Sequence, residues 1–259
     1  MSDTPRPAAV LVQLSDPHLG SRLARDGATA DDALARAVAA VNGLDIAVDL
    51  VVVTGDLTDH GRPAEYEALV TGLARLRAPY VLLPGNHDDR DALRAVLPAA
   101  QSCDIATAAI ACVATAGAVR VVVLDSLVPG AERGHLGTHQ LAWLDAQLAA
   151  DPRPTVVAVH HPPLRIGHTG LDTMYLDDAD AFGAVIERHA HVERIICGHG
   201  HRPVTARWRG TTVAMAPSSI RQFAPTFGPE LSFSRTDEAP AMAVHLWLDG
   251  SLVTHVVPW

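Results

Sequence analysis

Side chains that bind metal ions follow apolar, strand-like runs at five places in this 259-residue sequence. The five motifs are Asp16-Pro17-His18, Gly55-Asp56, Gly85-Asn86-His87-Asp88, His160-His161 and Gly198-His199-Gly200-His201. Asp, Asn and His occupy the candidate ligand positions, and no cysteine stands among them. Oxygen and imidazole donors in this mixture are typical of two-metal centres that carry out hydrolysis at phosphorus. The sequence therefore predicts a hydrolytic metal centre.

The five motifs differ in how specifically they indicate a metal. Asp-x-His and Gly-Asp also occur in ordinary turns, whereas a buried Asn86 after an apolar strand needs a polar partner. The run 160–163, His-His-Pro-Pro, favours a functional loop over a plain turn. Two imidazoles as close as His199 and His201 at the end of a strand are unusual in a surface turn. Because all five motifs occur together and in order, a metal centre is strongly favoured over five unrelated turns.

The alternation of apolar strands and helical patterns predicts how these motifs come together. Strands are predicted over 10–14, 50–53, 80–83, 120–124, 155–159 and 194–197. Helices are predicted over 31–44, from Pro63, over 89–97, from a cap at Thr138, and over 179–190. This order implies a largely parallel sheet with right-handed crossovers. The carboxyl ends of parallel strands share one edge, so ligands spread along the chain can converge there, with tight turns at Gly55, Gly85 and Gly198.

The pattern changes after His201. Four short segments, 204–208, 212–215, 242–248 and 252–257, are predicted as antiparallel strands with turns at Gly210 and Asp249-Gly250. We expect two facing sheets with helices outside, in a single domain that spans 1–259. In this prediction, 8–201 form the metal-binding core and 202–259 form the C-terminal strands and loop.

Composition limits the partners and the compartment of the protein. A net charge of -9 disfavours a long nucleic acid, although bound divalent ions would still allow a small phosphate substrate. No apolar run approaches the roughly 18 residues that a membrane span needs, so no membrane partner is predicted. The polar start, without a secretory pattern, and only three cysteines indicate a reducing compartment, the cytoplasm.

The order of the motifs resembles the calcineurin-like metallophosphoesterase superfamily through residues 10–201. The sequence is most similar to its class III cyclic-nucleotide phosphodiesterases and the related glycerophosphodiesterases. Further similar stretches are 61–66, 86–90, 124–130, 160–163 and 252–258. The resemblance implies an α/β fold, a four-layer αββα sandwich with two mixed β-sheets.

The same resemblance implies a metal-dependent phosphoric diester hydrolase with two divalent ions, of Mn, Fe, Zn or Co. The first ion would take Asp16, His18, Asp56 and His201, and the second Asp56, Asn86, His160 and His199. Asp56 would bridge, because only a carboxylate gives an oxygen to each ion, and a hydroxide between the ions would be the nucleophile. His87 is expected to contact the phosphate, where it would stabilise charge or protonate the leaving alkoxide.

One departure and two alternatives bear on this expectation. Ferric–tyrosinate purple acid phosphatases would carry a tyrosine where Asp59 stands, which disfavours that relative. A scaffold that has lost its metals is a non-enzyme alternative, but this chain keeps every ligand and His87. A metal store or sensor is a second alternative, suggested by three further histidines that more readily fit solvated positions: His168, His189 and His191.

The expected substrate is a small phosphodiester, with 3′,5′- or 2′,3′-cyclic nucleotides as the first choice and glycerophosphodiesters as the second. Segments 166–180 and 218–227 are expected to rim the pocket. Phe223 and Phe227 could stack a base there or could simply pack the loop. A homodimer or higher homo-oligomer is expected, because exposed edge strands tend to be covered and because the resemblance favours it.

Overall fold

Two β-sheets lie face to face in the computed structural model, which describes residues 6–22, 27–101, 103 and 109–259. The strands are β1 (Ala9–Leu14), β2 (Leu50–Thr54), β3 (Tyr80–Leu83), β4 (Cys112–Ala116), β5 (Val119–Val123), β6 (Thr155–Ala158), β7 (Val192–Cys197), β8 (Val204–Trp208), β9 (Thr211–Met215), β10 (Ala241–Leu248) and β11 (Ser251–Pro258). The helices are α1 (Ala30–Asn42), α2 (Pro63–Leu73), α3 (Arg90–Arg94), α4 (Gly137–Ala150) and α5 (Ala179–Ile186), with a 3₁₀ turn at Leu171–Thr173.

The strand order makes both sheets mixed. The first sheet runs β11-β10-β1-β2-β3, and the second runs β4-β5-β6-β7-β9-β8. Strands β1, β2 and β3 are parallel, as are β5, β6, β7 and β9. The antiparallel strands β4, β8, β10 and β11 lie toward the edges. The motif-bearing strands are thus the inner, parallel ones, together with β3.

Three separate hydrophobic clusters define four layers. One cluster joins α1 and α2 to the first sheet, as when Leu34 and Leu69 pack with Val12. A second joins α4 and α5 to the second sheet, around Phe182 and Ile195. A third lies between the sheets and is built by alternate residues of the same strands, listed here as Leu11, Val52, Leu83, Val121, Val156 and Ile196. This arrangement confirms the predicted αββα sandwich.

The C-terminal strands differ from the prediction in one respect. They were expected to be antiparallel, but β9 also pairs in parallel with β7. The reason is the two-residue turn at Arg209-Gly210, where both residues have positive φ (49° and 85°). It folds β8 to the outside of β9, so that β9 returns beside β7 in the same direction. The predicted turn at Asp249-Gly250 is present, with φ of 50° and 77°.

The predicted helix cap at Thr138 is wrong. Helix α4 begins at Gly137, two residues before the start that a cap at Thr138 would give, and its first free amides are satisfied by a distant side chain. The backbone N–H of Leu136 and that of Gly137 donate to the carboxylate of Asp178, at 3.1 and 2.8 Å. A cap supplied from 40 residues away leaves no local signal, because capping patterns are read from adjacent residues. Helix α3 is also shorter than predicted: it spans Arg90–Arg94, and Pro98 accounts only for the loss of helical backbone at Leu97.

None of the helices in the described ranges is long and apolar enough to span a bilayer.

A buried polar network links the two sheets behind the motif edge. Gln13 of β1 donates to the hydroxyl of Thr54 and to the carbonyl of Cys197, both at 2.9 Å, and so joins the first sheet to the second. His245 of β10 contacts Thr254 Oγ1 at 2.8 Å and Gln13 Oε1 at 3.3 Å. Burial lowers the pKa of His245 to about 3. The imidazole is therefore neutral in the folded protein at ordinary pH.

This histidine makes stability depend on pH. An unfolded histidine has a pKa of about 6.5, so the unfolded chain gains a proton below that pH while folded His245 does not. Stability from this group is complete above pH 6.5 and is lost as the pH falls toward 3. Between pH 7.5 and 5.5, we expect His245→Gln to lose about 1 kcal/mol less unfolding free energy than the wild type. Urea unfolding at the two pH values measures this difference, and equal losses in the two proteins would contradict it.

Candidate metal centre

All seven predicted ligand residues lie together at the carboxyl edge of the parallel strands. They follow five strands: Asp16 and His18 come after β1, Asp56 after β2, Asn86 after β3, His160 after β6, and His199 and His201 after β7. The edge is shared by both sheets, because β1, β2 and β3 belong to one and β6 and β7 to the other. Residues up to 185 positions apart in sequence therefore meet, as the sheet topology predicts.

The seven residues form two groups that share Asp56. In the first group, one donor atom from each of Asp16, His18, Asp56 and His201 lies within 4.8 Å of all the others. In the second, His160 Nε2 is 3.2 Å from Asn86 Oδ1, and His199 Nδ1 is 3.0 Å from the same oxygen.

Asp56 lies between the groups with one oxygen toward each. Its Oδ2 is 3.6 Å from His18 Nε2 in the first group, and its Oδ1 is 3.4 Å from His160 Nε2 in the second. The side chain is almost completely buried. A carboxylate in this position can donate one oxygen to each of two cations.

The backbone of this edge is strained where the ligands stand. Seven described residues other than glycine have positive φ, and five of them are candidate ligands. The five are Asp16 (50°), His18 (45°), Asp56 (46°), His199 (69°) and His201 (47°). Such backbone costs on the order of 1–3 kcal/mol at a residue with a side chain and concentrates at functional sites. The strain is held by neighbouring loops, since the His18 amide donates to the Asp56 carbonyl and the His199 amide to Asp16 Oδ1, both at 3.0 Å.

Two glycines allow the ligand loops to approach one another. A Cβ on Gly85 would overlap Asp56 Oδ1, and a Cβ on Gly55 would overlap the ring of His160. Gly55 also has a φ of +84°. The tight turns predicted at these two positions are therefore present, and they are required by side chains from other strands.

The hydrogen bonds of the histidines turn one ring nitrogen of each toward the other. His18 Nδ1 donates to Asp59 Oδ1 at 3.0 Å, and His201 Nδ1 donates to the Arg221 carbonyl at 3.1 Å. Both partners accept only, so Nδ1 of each ring carries a proton and Nε2 is the atom directed into the site. The two Nε2 atoms lie 3.1 Å apart. Rings fixed through Nδ1 that present Nε2 to a common point are typical of metal-binding histidines, so the first group fits a metal ion.

In the second group, too, a histidine ring is fixed through its Nδ1 atom. His160 Nδ1 donates to the Thr54 carbonyl at 2.8 Å. Its Nε2 then points toward two oxygens, those of Asp56 and Asn86. Nitrogen and oxygen donors converge here within 3.0–3.4 Å of one another, a mixture that suits Mn, Fe, Zn or Co.

Burial sets the protonation of the outer ligands. It lowers the pKa of His199 to about 3, reinforced by the charge of His160, and it lowers the pKa of His201 well below its usual range. Both imidazoles are neutral at pH 7, which is the form that binds metal. Burial also raises the pKa of Asp16 to about 6.

Asp56 and His160 form a charged pair within the protein. Burial opposes both charges, but their attraction outweighs it: the pKa of Asp56 falls well below its usual range and the pKa of His160 rises to about 9. A metal ion that binds Asp56 and His160 must displace the imidazole proton. Metal binding by this group should therefore release protons.

His87 stands beside the two groups and is exposed to the cleft. Its backbone amide donates to Asp56 Oδ1 at 3.0 Å, and its ring Nδ1 donates to the Asp59 carbonyl at 3.1 Å. The ring meets that of His18 edge-on, with centroids 4.8 Å apart. Burial lowers the pKa of His87, but the carboxylates of Asp56 and Asp59 outweigh it and raise the pKa overall. This position allows contact with a bound phosphate.

Three supporting residues were not assigned a role from the sequence. Asp59 orients His18 through the hydrogen bond described above. Asp88 accepts from the backbone amides of Leu57 and Gly85, at 3.0 and 2.8 Å, and so ties the loop after β2 to the loop after β3. Asp88 belongs to the Gly-Asn-His-Asp motif, and its place in that motif was the available signal.

His161 is the third supporting residue. Its ring lies 4.9 Å from that of His160 and 4.8 Å from that of His199, close enough to join the second group. Both of its nitrogens are engaged elsewhere, Nδ1 with Ser126 Oγ at 2.8 Å and Nε2 with the Glu132 carbonyl at 3.2 Å. We therefore infer that it supports the ligand rings from behind.

The extra histidines do not make a further site. Within the part of the chain that the structure describes, every group of three or more metal-binding side chains lies at the motif edge. His168 contacts the Ala224 carbonyl at 3.2 Å, and His189 contacts Asp145 at 2.7 Å. The idea of a metal store built on His168, His189 and His191 gains no support.

A cleft of about 200 Å³ opens above the two groups. Besides the candidate ligands and His87, its described lining consists of Glu132, Leu171, Met174, Arg221, Phe223 and Phe233. The two predicted rim segments, 166–180 and 218–227, supply four of these residues.

The prediction that segment 218–227 rims the cleft is wrong at its last residue, Phe227. Phe227 does not line the cleft, and its side chain is 75% exposed. An antiparallel bridge between Phe223 and Arg235 folds the loop back, which brings Phe233 to the cleft instead.

Residues 9–203 match the model of the family described as calcineurin-like phosphoesterase. The chain belongs to the calcineurin-like phosphoesterase family. Family membership and the donor groups confirm the predicted cofactor, two divalent metal ions.

Three relatives within this family are similar over most of the chain. A cAMP/cGMP dual specificity phosphodiesterase of Mycobacterium tuberculosis is 35% identical over 99% of this chain and 81% of the relative. The 3′,5′-cyclic adenosine monophosphate phosphodiesterase CpdA of Escherichia coli is 35% identical over 80% of this chain and 74% of the relative. The glycerophosphodiester phosphodiesterase GpdQ of Enterobacter lignolyticus is 37% identical over 71% and 67%, respectively.

A solved structure supports the same fold for this calcineurin-like phosphoesterase. A dimetal phosphatase from Danio rerio superposes with a TM-score of 0.74 at 15% identity, over 97% of this chain and 96% of that one. At this identity, the superposition shows the fold alone.

The shared carboxylate makes a prediction about metal content. Because Asp56 gives one oxygen to each group, Asp56→Ala should lose two-metal binding and not simply weaken one site. Elemental analysis of the purified variant measures this. Asp91→Ala is a matched control, since the Asp91 side chain is 95% exposed away from the groups. Two tightly held ions in Asp56→Ala would refute the bridging position.

His87 makes a prediction about turnover. His87→Ala should lower kcat by on the order of 10²–10⁴-fold, because it removes a charge-stabilising or proton-donating group. Its metal content should match the wild type, since His87 lies outside both groups. His139→Ala, at an exposed position on α4, is the control. Normal kcat would exclude this role, and lost metal would make His87 a ligand or a support of one.

Proposed function

We propose that this protein is a phosphodiesterase that hydrolyses small phosphodiesters at a two-metal centre. The observation that carries the proposal is the position of Asp56, which presents one oxygen to each of two donor groups. Two divalent ions, when bound, supply an activated water and neutralise charge on phosphate oxygens. The remaining steps depend on the side chains of the chain itself.

The seven candidate ligands divide between the two ions in this proposal. Asp16, His18 and His201 would hold one ion, and Asn86, His160 and His199 would hold the other. Asp56 would contribute to both. Asp59 and the Thr54 and Arg221 carbonyls fix the histidine rings through their Nδ1 atoms, so that Nε2 of each faces inward.

His87 acts on the substrate in this proposal. It extends into the cleft next to the first group, and nearby carboxylates favour its protonated form. A protonated imidazole beside the phosphate can stabilise the negative charge of the transition state and donate a proton to the leaving alkoxide.

Cyclic nucleotides are the proposed substrates, with glycerophosphodiesters second. Two of the relatives described above are named for cyclic-nucleotide hydrolysis and the third for glycerophosphodiester hydrolysis. A cleft of about 200 Å³ lies below the size of typical drug-binding pockets, roughly 300–1,000 Å³. A small diester is thus favoured over a polymer, and the net charge of -9 favours the same choice.

The proposed setting is a cytoplasmic homodimer built from one domain. Three free cysteines, Cys103, Cys112 and Cys197, support a reducing compartment. The edge strand β11 exposes Val253 and Val256, by 40% and 46%, which supports coverage by a second copy. Strands from 202–259 extend both sheets of the 8–201 metal-binding core, which supports a single domain over 1–259.

A substrate panel on metal-loaded enzyme tests the activity. The panel comprises 3′,5′- and 2′,3′-cyclic nucleotides, glycerophosphodiesters, bis(p-nitrophenyl) phosphate and the monoester p-nitrophenyl phosphate. We expect kcat/KM to be highest for a cyclic nucleotide and lowest for the monoester, with every activity lost in Asp56→Ala. If the monoester were hydrolysed far faster than every diester, the protein would be a phosphatase.

A further inference from the structure

The cleft has a polar surface and an apolar surface. The polar one carries five of the candidate metal ligands together with His87, Glu132 and Arg221, and the apolar one is made by Leu171, Met174, Phe223 and Phe233. The two surfaces meet where the ring of Phe223 stacks on that of His201, with centroids 4.4 Å apart and planes inclined by 20°. An apolar surface contributes nothing to hydrolysis at phosphorus. Its position therefore bears on which alcohol is attached to the phosphate.

Phe233 is held in place by contacts with two other segments, one at Phe223 and Ala224 and one at His168 and Gly170. The Ala224 amide donates to the Ser234 carbonyl at 2.7 Å, which fixes the residue next to Phe233. The ring stacks on His168 at 6.1 Å and meets the ring of Phe223 at 5.9 Å.

Gly170 completes this fixation. A Cβ at Gly170 would lie 2.6 Å from the Phe233 ring, so the backbone of the 3₁₀ segment lies directly against it. The aromatic ring is thus oriented before any ligand arrives, which reduces the entropy cost of binding.

The Phe233 side chain nevertheless remains 45% exposed, and it lines the cleft. If the ring served only to pack the loop, its partners would cover it more fully. Phe227 and Leu231 of the same loop are more exposed, at 75% and 68%, and do not line the cleft. Of these three exposed residues, only Phe233 therefore lies beside the candidate metal ligands.

We propose that Phe233, together with Phe223, forms the subsite for the base of a nucleotide whose phosphate lies at the metal centre. Flat heteroaromatic rings stack on phenylalanine, whereas glycerol or ethanolamine offers no flat face. The subsite selects cyclic nucleotides over glycerophosphodiesters. This inference rests on the proposed function, because it presumes that a phosphate binds at the metal centre.

Binding of two ligands that differ only by the base tests the subsite. Adenosine 5′-monophosphate and ribose 5-phosphate carry the same phosphate and the same sugar. Their dissociation constants for metal-loaded enzyme can be compared by titration calorimetry. Removal of a stacked base costs roughly 5- to 150-fold in affinity, so the wild type should prefer the nucleotide by a factor in that range.

Four variants locate the preference. Phe233→Ala and Phe233→Leu should bind ribose 5-phosphate normally but lose the preference for the nucleotide, since neither side chain is aromatic. Phe233→Leu keeps most of the apolar volume, so it serves if the alanine variant does not fold. Phe233→Trp should retain the preference. Phe227→Ala is the matched control from the same loop and should behave as the wild type.

Three results would overturn the subsite. The first is equal affinity of the wild type for the two ligands, and the second is a preference for the nucleotide that survives in both Phe233→Ala and Phe233→Leu. The third is equal weakening of both ligands in these two variants, which would make Phe233 a support of the loop. Hydrolysis of the substrate panel is scored separately. Enzyme that prefers the nucleotide but hydrolyses no diester would refute the proposed function while retaining the subsite. Enzyme that hydrolyses diesters but does not prefer the nucleotide would refute the subsite while retaining the proposed function.

Discussion

The centre of this structure depends on one buried carboxylate. Asp56 is almost fully enclosed by protein and carries its charge where little water can solvate it. A buried charge of this kind is costly unless opposite charge lies close to it. Within the protein that charge comes from a protonated His160, and two metal ions would supply it on both sides of the carboxylate. The protein thus holds the carboxylate in a state that favours cation binding.

The fold supplies the geometry that this carboxylate requires. Parallel strands from both sheets end at one edge, and the loops that follow them run close enough for side chains to meet. That closeness is obtained with left-handed backbone at five candidate ligands and with glycine where a Cβ would overlap a ligand. Asp88 and the buried network around Gln13 hold the loops and the strands behind them. The stability of the sandwich therefore offsets local strain at the site.

The sequence predicts the site better than it predicts its surroundings. The strand ends and the ligand types are recognisable because hydrophobic periodicity and short motifs are local properties, and the four-layer fold follows from their order. The cap of α4 was missed because Asp178, and not Thr138, accepts its amides. Of the two aromatic residues that the sequence offered for the cleft, Phe223 and Phe227, only Phe223 lines it, and the bridge to Arg235 brings Phe233 there in place of Phe227. Both features depend on contacts between distant residues, which periodicity does not record.

The most direct test of the two-metal centre is anomalous diffraction from crystals of the wild-type protein grown with manganese. We expect two anomalous peaks in each protomer, roughly 3.5–4 Å apart, with the Asp56 carboxylate between them. The ion at one peak should be coordinated by Asp16, His18 and His201, and the ion at the other by Asn86, His160 and His199. A single peak, or two peaks of which only one contacts Asp56, would show that Asp56 does not bridge a two-metal centre.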